Sequence, residues 1–484
     1  MASLRALLAD AARTDPVASA FVEGRATLSF EEWNLQSDRV AGGLASLEVA
    51  EGEVVALCLP NGLDYPVMYL GSAKAGCVTT GINTRFRERE IAAILKNSGA
   101  AVLVTLDQVD GVPMRALAVS VRPPALRRIV TPDEVRSTPG EPRVVEPDAD
   151  QPLAIVYTSG TTGIPKGACY THGAIDTVRR IEMSLGASSY PRSFGGLPLP
   201  HMNFMTKIGS LIERRACMIF MGGRWSARAA LEMIEEHGLT GIGGVPTQLE
   251  LMLRDETFES RDLSSVRSVT IGGAPATPDL IRRIRNGFGV PVMVRYSCTE
   301  VGLATGTRPD DDDETVATTV GRPLPSVEVI VDAPAGEVGE ILVRSPAMMR
   351  GYWNEPDAID QNGFFHTGDL GWFGADGNLR LSGRAKDMYI RAGYNVYPAE
   401  VEAVLQEHPK VALCAVVGVP DDVLGQRGLA LVVPTDPADP PTLEELRDFV
   451  GSVVADYKRP DALEIRPELP MTPLFKVDKA ALGR

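Results

Sequence analysis

Tyr157-Thr158-Ser159-Gly160-Thr161-Thr162-Gly163-Ile164-Pro165-Lys166-Gly167 decides how the chain is read. Hydroxyl side chains and glycines crowd it, and a lysine closes it. The run just before, Leu153-Ala154-Ile155-Val156-Tyr157, is apolar and predicts a buried strand. Glycine lets a backbone approach a ligand closely and adopt φ > 0. Hydroxyls and exposed N–H groups donate to phosphate oxygens, and lysine adds a point charge. A strand that ends in such a loop is a phosphate cradle. It is not a Walker A loop, because Pro165 precedes Lys166 and Gly167 follows it.

Upstream of the loop, strands alternate with helices. Leu4, Leu7, Leu8 and Ala11 have helical spacing. Thr27 to Glu32 predicts a short strand entering a helix, with Ser29 and Glu32 as a capping box. Strands are expected at 53–59 and 101–106, and helices at 65–76 and 88–97. Residues 107–150 are rich in Pro, Asp and Arg and read as a surface excursion. Downstream, 168–183 reads as a helix or an extended-to-helix transition, and 197–204 as a strand end and turn. Apolar strands are expected at 240–244, 266–271 and 291–296, each delivering a ligand-type loop. In open α/β sheets ligands bind beyond the carboxyl ends of the strands. The run Asp310 to Glu314 reads as a solvated loop, the alternative being a metal site. Short strands with Gly/Pro turns follow from 318 to 343, a small β module that 364–382 continues with Gly-rich hairpin turns. A compact α+β segment begins past Gly383-Arg384-Ala385-Lys386-Asp387.

At 484 residues two or more domains are expected. Hydrophobic content of 44% and charged content of 23% are globular values. The net charge of −15 and pI near 5.0 argue against nucleic acid as a partner. The six cysteines show no metal-ligand spacing and read as small buried hydrophobes. Cys298 stands apart because it lies inside a motif. The N-terminus has no signal-peptide pattern, and no apolar run approaches the roughly 18 residues of a membrane span. A cytoplasmic protein without a transmembrane segment is the expectation.

The phosphate loop resembles that of the adenylate-forming (ANL) superfamily, which comprises acyl-CoA synthetases, adenylation domains and beetle luciferases. Further motifs follow in the family's order. Gly272-Gly273-Ala274-Pro275 resembles the adenine-side turn, and Tyr296-Ser297-Cys298-Thr299-Glu300 the element that stacks on adenine and holds Mg²⁺. Thr367-Gly368-Asp369 resembles the ribose-binding motif, and Arg384 the ribose-contacting arginine. Leu469 to Lys479 resembles the element with the catalytic lysine, Lys476 by register, with Lys479 as its rival. Phe475 stands where glycine is usual.

The resemblance, to an AMP-forming acyl-CoA synthetase, implies catalytic roles for Lys476, Glu300, Thr158 and Lys166, with Glu300 the metal ligand. It implies ATP/AMP contacts from Thr158, Ser159, Gly160, Thr161, Thr162, Gly163, Lys166, Gly273, Ala274, Pro275, Tyr296, Ser297, Thr299, Asp369 and Arg384. The acyl pocket would take His201, Asn203, Phe204, Gly244 and Cys298. Ala392, Gly393 and Tyr394 would line a coenzyme A tunnel, with the hinge at Asp387. The implied architecture is α/β: an N-terminal AMP-binding domain over 1–386, including the small β module, and a mobile α+β lid over 387–484. The implied reaction is ATP- and Mg²⁺-dependent conversion of a fatty, aryl or other non-amino acid to acyl-AMP, then transfer to the thiol of coenzyme A. Met202-Asn203-Phe204 offers no acid to pair a substrate ammonium, which argues against an amino acid. Alternatives are loading of an acyl carrier protein, competence in only one half-reaction, and a non-catalytic nucleotide binder.

Overall fold

The computed structural model describes residues 1–143, 145–158, 165–186, 191–221, 225–273, 276–472 and 476–482. Among the described residues the strands form four sheets. One, of seven strands, is built on the parallel strands Val54–Cys58, Val78–Gly81, Val102–Thr105 and Pro152–Thr158. The last is buried from Leu153 to Tyr157, as its apolar run predicts, because helices and neighbouring strands cover both faces. It turns back as the antiparallel strand Lys166–Thr171, with Thr158 paired to Lys166. The expected loop therefore joins two adjacent strands. Ser159, Gly160, Thr161, Thr162 and Gly163 lie outside the described residues.

A nine-stranded sheet contains the parallel strands Gly241–Gly244, Ser268–Gly272 and Val292–Cys298. Their carboxyl ends carry Gly244, Gly273 and the segment 297–300 to one side. The third sheet is the antiparallel set Glu328–Asp332, Gly339–Arg344, Phe365–Phe373 and Leu379–Arg384. The fourth is built on Tyr389–Arg391, Tyr394–Val396, Val411–Asp421, Gly425–Pro434 and Ala462–Ile465, with the helices Pro398–Gln406 and Leu443–Gly451 packed beside it. This is the α/β class expected, with a separate α+β C-terminal portion.

Local signals account for many boundaries. Ser29 and Glu32 form the reciprocal capping box at the start of Phe30–Ser46. That helix buries Trp33, whose ring meets Phe21 edge-on at 4.8 Å. Two expectations are corrected. Residues 107–150 are not only a surface excursion: Arg128–Val130 is the outermost strand of the seven-stranded sheet, and the helices Met114–Ser120 and Pro132–Ser137 flank it. A strand of that length has too few residues to show a period. Residues 202–205 are helical rather than turn, whereas strand to Thr171 followed by the helix His172–Ser184 is the extended-to-helix transition expected over 168–183. In the acidic run, Asp312 caps the helix Asp313–Thr318 and Asp311 pairs with Arg322 at 3.2 Å. Among the described residues no helix is long and apolar enough to cross a membrane.

Candidate active site

A cleft of about 2740 Å³ opens where the carboxyl ends of the two large sheets face the small β sheet and the C-terminal sheet. Thr158, Lys166, Glu300, Asp369, Arg384 and Lys476 all line it.

The ribose-type motif is built by register. Asp369 and Arg384 are cross-strand partners in the small sheet. Arg384 Nε donates to Asp369 Oδ1 at 2.7 Å, and the Tyr296 hydroxyl donates to Oδ2 at 2.8 Å. Gly368 has φ +70°, a left-handed conformation that glycine adopts without strain. Asp369 is buried, yet each carboxylate oxygen retains a lone pair for a further donor. Tyr296 is brought to the same corner by the strand Val292–Cys298, and its buried ring offers a flat apolar surface.

Glu300 stands at the mouth of that strand. The Tyr352 hydroxyl donates to Glu300 Oε1 at 2.8 Å, and Lys166 Nζ sits 5.0 Å above the Tyr352 ring. Burial, then the Glu300 carboxylate, hold the Tyr352 hydroxyl protonated, so it stays a donor. Tyr352 thus links the lysine after the loop to the carboxylate. Sequence reading missed it; its signal is only its pairing with Ala168, which is tertiary. The Tyr170 hydroxyl fixes the Thr299 carbonyl at 2.7 Å. The Glu300 carboxylate offers oxygen donors beside the end of the loop strand, and Tyr352 leaves it lone pairs that suit Mg²⁺, a hard cation that keeps several waters. The residues present therefore fit the metal.

Lys476 reaches the cleft from the C-terminal portion. A Cβ added to Gly273 would lie 3.5 Å from Lys476 Cε and 3.7 Å from Nζ. Burial first, then Arg384, lower the affinity of this amine for its proton, and Asp369 opposes them. Lys479 instead pairs with Glu402 at 2.6 Å, inside the C-terminal portion. Position therefore separates the two candidate lysines. Thr472 N–H donates to the Lys476 carbonyl at 2.7 Å. Phe475, like Ala274 and Pro275, lies outside the described residues.

His201 caps the helix Met202–Met205 and faces Lys476. Burial, and Lys476 next, push its pKa down to about 4, so it is neutral at neutral pH. Asn83 Oδ1 accepts from Arg85 N–H, which leaves Asn83 Nδ2 to donate to His201 Nε2 at 3.1 Å and places the imidazole proton on Nδ1. Asn203 is exposed at the cleft. Phe204 contributes little surface there: its ring is buried against Phe21, Tyr65 and Tyr69. The strand Gly241–Gly244 presents a wall without side chains, since a Cβ at Gly241 or Gly243 would meet nothing within 4 Å. Ser297 and Cys298 line the cleft, and burial followed by Glu300 keeps the Cys298 thiol protonated, which disqualifies it as a nucleophile.

Ala392, Gly393 and Tyr394 are not gathered here. They form the hairpin between Tyr389–Arg391 and Tyr394–Val396, with φ +49° at Ala392 and +86° at Gly393. Tyr394 is exposed and stacks on Tyr457 at 4.6 Å. Asp387 lies in the turn between Arg384, where the small sheet ends, and Tyr389, where the C-terminal sheet begins; its N–H donates to the Arg384 carbonyl at 3.1 Å.

A family model described as AMP-binding enzyme matches residues 8–353, and one for the AMP-binding enzyme C-terminal domain matches 400–476. The chain belongs to the AMP-binding enzymes. Feruloyl-CoA synthase of an Amycolatopsis species is 32% identical over 98% of this chain and 97% of its own. The fatty acid–[acyl-carrier-protein] ligase ScoC of Streptomyces coeruleorubidus is 30% identical over 94% of this chain and 91% of its own. The o-succinylbenzoate CoA synthetase of Bacillus subtilis, solved with its acyl-adenylate intermediate, superposes with a TM-score of 0.87 at 28% identity. That match covers 98% of this chain and 97% of the other.

A second buried histidine, His172, lies away from this cleft among Leu4, Leu153 and Asp176, and burial pushes its pKa down to about 4 as well. The unfolded chain protonates His172 below about pH 6.5, whereas the folded chain resists to about 4. The contribution is complete above pH 6.5 and is lost as pH falls towards 4, by up to about 1.4 kcal/mol per pH unit. Urea unfolding from pH 7 to 4.5 is expected to show a shallower stability loss for His172→Gln than for the parent. Parallel curves would refute the assignment.

Proposed function

We propose that the chain activates a carboxylic acid with ATP, forming acyl-AMP and pyrophosphate, and then passes the acyl group to the thiol of coenzyme A. The observation that carries this reading is Lys476, whose half-buried ammonium enters from the C-terminal portion beside Gly273, opposite the Arg384–Asp369–Tyr296 network. In this reading Asp369 accepts from the ribose hydroxyls and Tyr296 stacks on adenine. Lys476 offsets charge that builds on the α-phosphate as the substrate carboxylate attacks. Thr158 and Lys166 flank the loop that takes the outer phosphates. Glu300 holds Mg²⁺, which when bound neutralises charge on the departing pyrophosphate. His201, with its proton on Nδ1, closes the acyl side without adding charge.

The second step needs a different arrangement, because Lys476 fills the cleft while the 392–394 hairpin stands outside it. We infer that residues 387–484 rotate as a lid about Asp387, withdrawing Lys476 and bringing Ala392, Gly393 and Tyr394 to the pantetheine path. Proline at 387 removes the N–H that bonds the Arg384 carbonyl and fixes φ. Asp387→Pro is therefore expected to change the ratio of the two half-reaction rates by roughly tenfold or more. Pyrophosphate exchange and thioester formation from synthetic acyl-AMP, run on one preparation, measure it. Equal losses would move the hinge elsewhere.

The test of the whole reading is acid-dependent pyrophosphate release across a panel of carboxylic acids, with and without coenzyme A. Release that requires no acid, or none with any acid, would overturn it. The relative ScoC bears a carrier-protein ligase name, so a carrier protein is the alternative acceptor. Both acceptors present the same thiol arm; a purified holo-carrier protein run beside free coenzyme A separates them.

A further inference from the structure

The wall of the cleft beyond His201 carries charge that adenylate formation does not use. Glu182, on the helix His172–Ser184, is almost buried. Lys207 Nζ lies 2.9 Å from its Oε1, and Arg214 Nη1 lies 4.0 Å from Oε2. Lys207 sits on the turn after the helix Met202–Met205 that His201 caps, and Arg214 ends the helix Ile208–Glu213. Arg295, on the strand that carries Tyr296, also acts on the Glu182 carboxylate. Burial alone would raise the Glu182 carboxyl, but Lys207, then Arg214 and Arg295, outweigh it and hold it below the usual range. The other acid acting on Arg295 is Asp311, already paired with Arg322 at 3.2 Å.

Three cations therefore face one carboxylate, and all four groups line the cleft. Arg295 turns its Nη1 to the Val294 and Thr307 carbonyls. Arg214 donates one nitrogen to the Glu182 carbonyl, while its Nε is buried and, among the described residues, has no partner. Burying cations in excess is costly unless an anion completes the set. The cleft that these groups line has room for one, and it is also lined by Gly241 and Gly243, where an added Cβ would meet nothing within 4 Å.

We propose that the acid this chain activates carries a second anionic group, a carboxylate, at the end remote from the reacting carboxyl, and that Lys207 and Arg214 bind it. The inference rests on the acid-activating function above and specifies its substrate class. The test compares kcat/KM for pyrophosphate release between linear dicarboxylic acids and monocarboxylic acids of equal carbon number. A preference of about tenfold or more for the dicarboxylic acid is expected at one or more lengths. Lys207→Met and Arg214→Gln should each collapse that preference, and Lys207→Arg should retain it. ATP affinity by calorimetry checks that each variant is folded. Monocarboxylic acids used as well at every length, or a preference untouched by both substitutions in folded protein, would overturn the inference. No release with any acid would instead overturn the function on which it rests, and the inference with it.

Discussion

Lys476→Ala is expected to slow acyl-adenylate formation by about a hundred- to a thousandfold, the usual loss when one preorganised charge-stabilising group is removed. Thioester formation from synthetic acyl-AMP should change little, since the proposed lid rotation withdraws Lys476 for that step. The lysine is already short of solvent and faces Arg384, and both favour its neutral form. The active form is the protonated one. Adenylation by the free enzyme should therefore fail on the alkaline side at a pH below 10.5, the ordinary lysine value. A pH profile of kcat/KM for pyrophosphate release reads this limb directly. Equal loss of both half-reactions in Lys476→Ala, or the same phenotype from Lys479→Ala, would remove Lys476 from its role. The Glu402 pair of Lys479 predicts instead that its substitution acts on the stability of the C-terminal portion.

Asp369→Ala is expected to weaken ATP binding by about tenfold to a hundredfold, since a hydrogen bond to a charged group contributes about 1.5–3 kcal/mol. The substitution removes the acceptor for ribose hydroxyls and also strands Arg384 Nε and the Tyr296 hydroxyl, both of which now end on this carboxylate. Asp369→Asn keeps an acceptor oxygen but adds a donor that faces one of these two donors, so its loss should lie between. Calorimetry with ATP orders the three proteins. Unchanged affinity in Asp369→Ala would detach the residue from the nucleotide.

Much of the molecule was legible before any coordinates. The apolar run 153–157 specifies a buried strand through local side-chain chemistry alone. Ser29 and Glu32 mark a helix start because their bonds close within one turn. The order of motifs around Tyr296, Asp369 and Lys476 identifies the chemistry, because each keeps its residue types within a short span. What the sequence could not order was distance between spans. That Asp369 meets both Arg384 and Tyr296 depends on the register of two sheets. That Lys476 lies beside Gly273 while Glu402 holds Lys479 depends on how the C-terminal portion packs. Phe204 looks like pocket lining beside His201, but the helix that begins there turns its ring into the core. Arg128–Val130 becomes a strand only because a sheet edge is available to it. Glu182, Lys207, Arg214 and Arg295 carry no common motif, and only folding places their charges against one another. Hydrogen bonds within a turn are written in adjacent residues; the electrostatics of a cleft arise from groups that the chain brings together only when its sheets and helices pack.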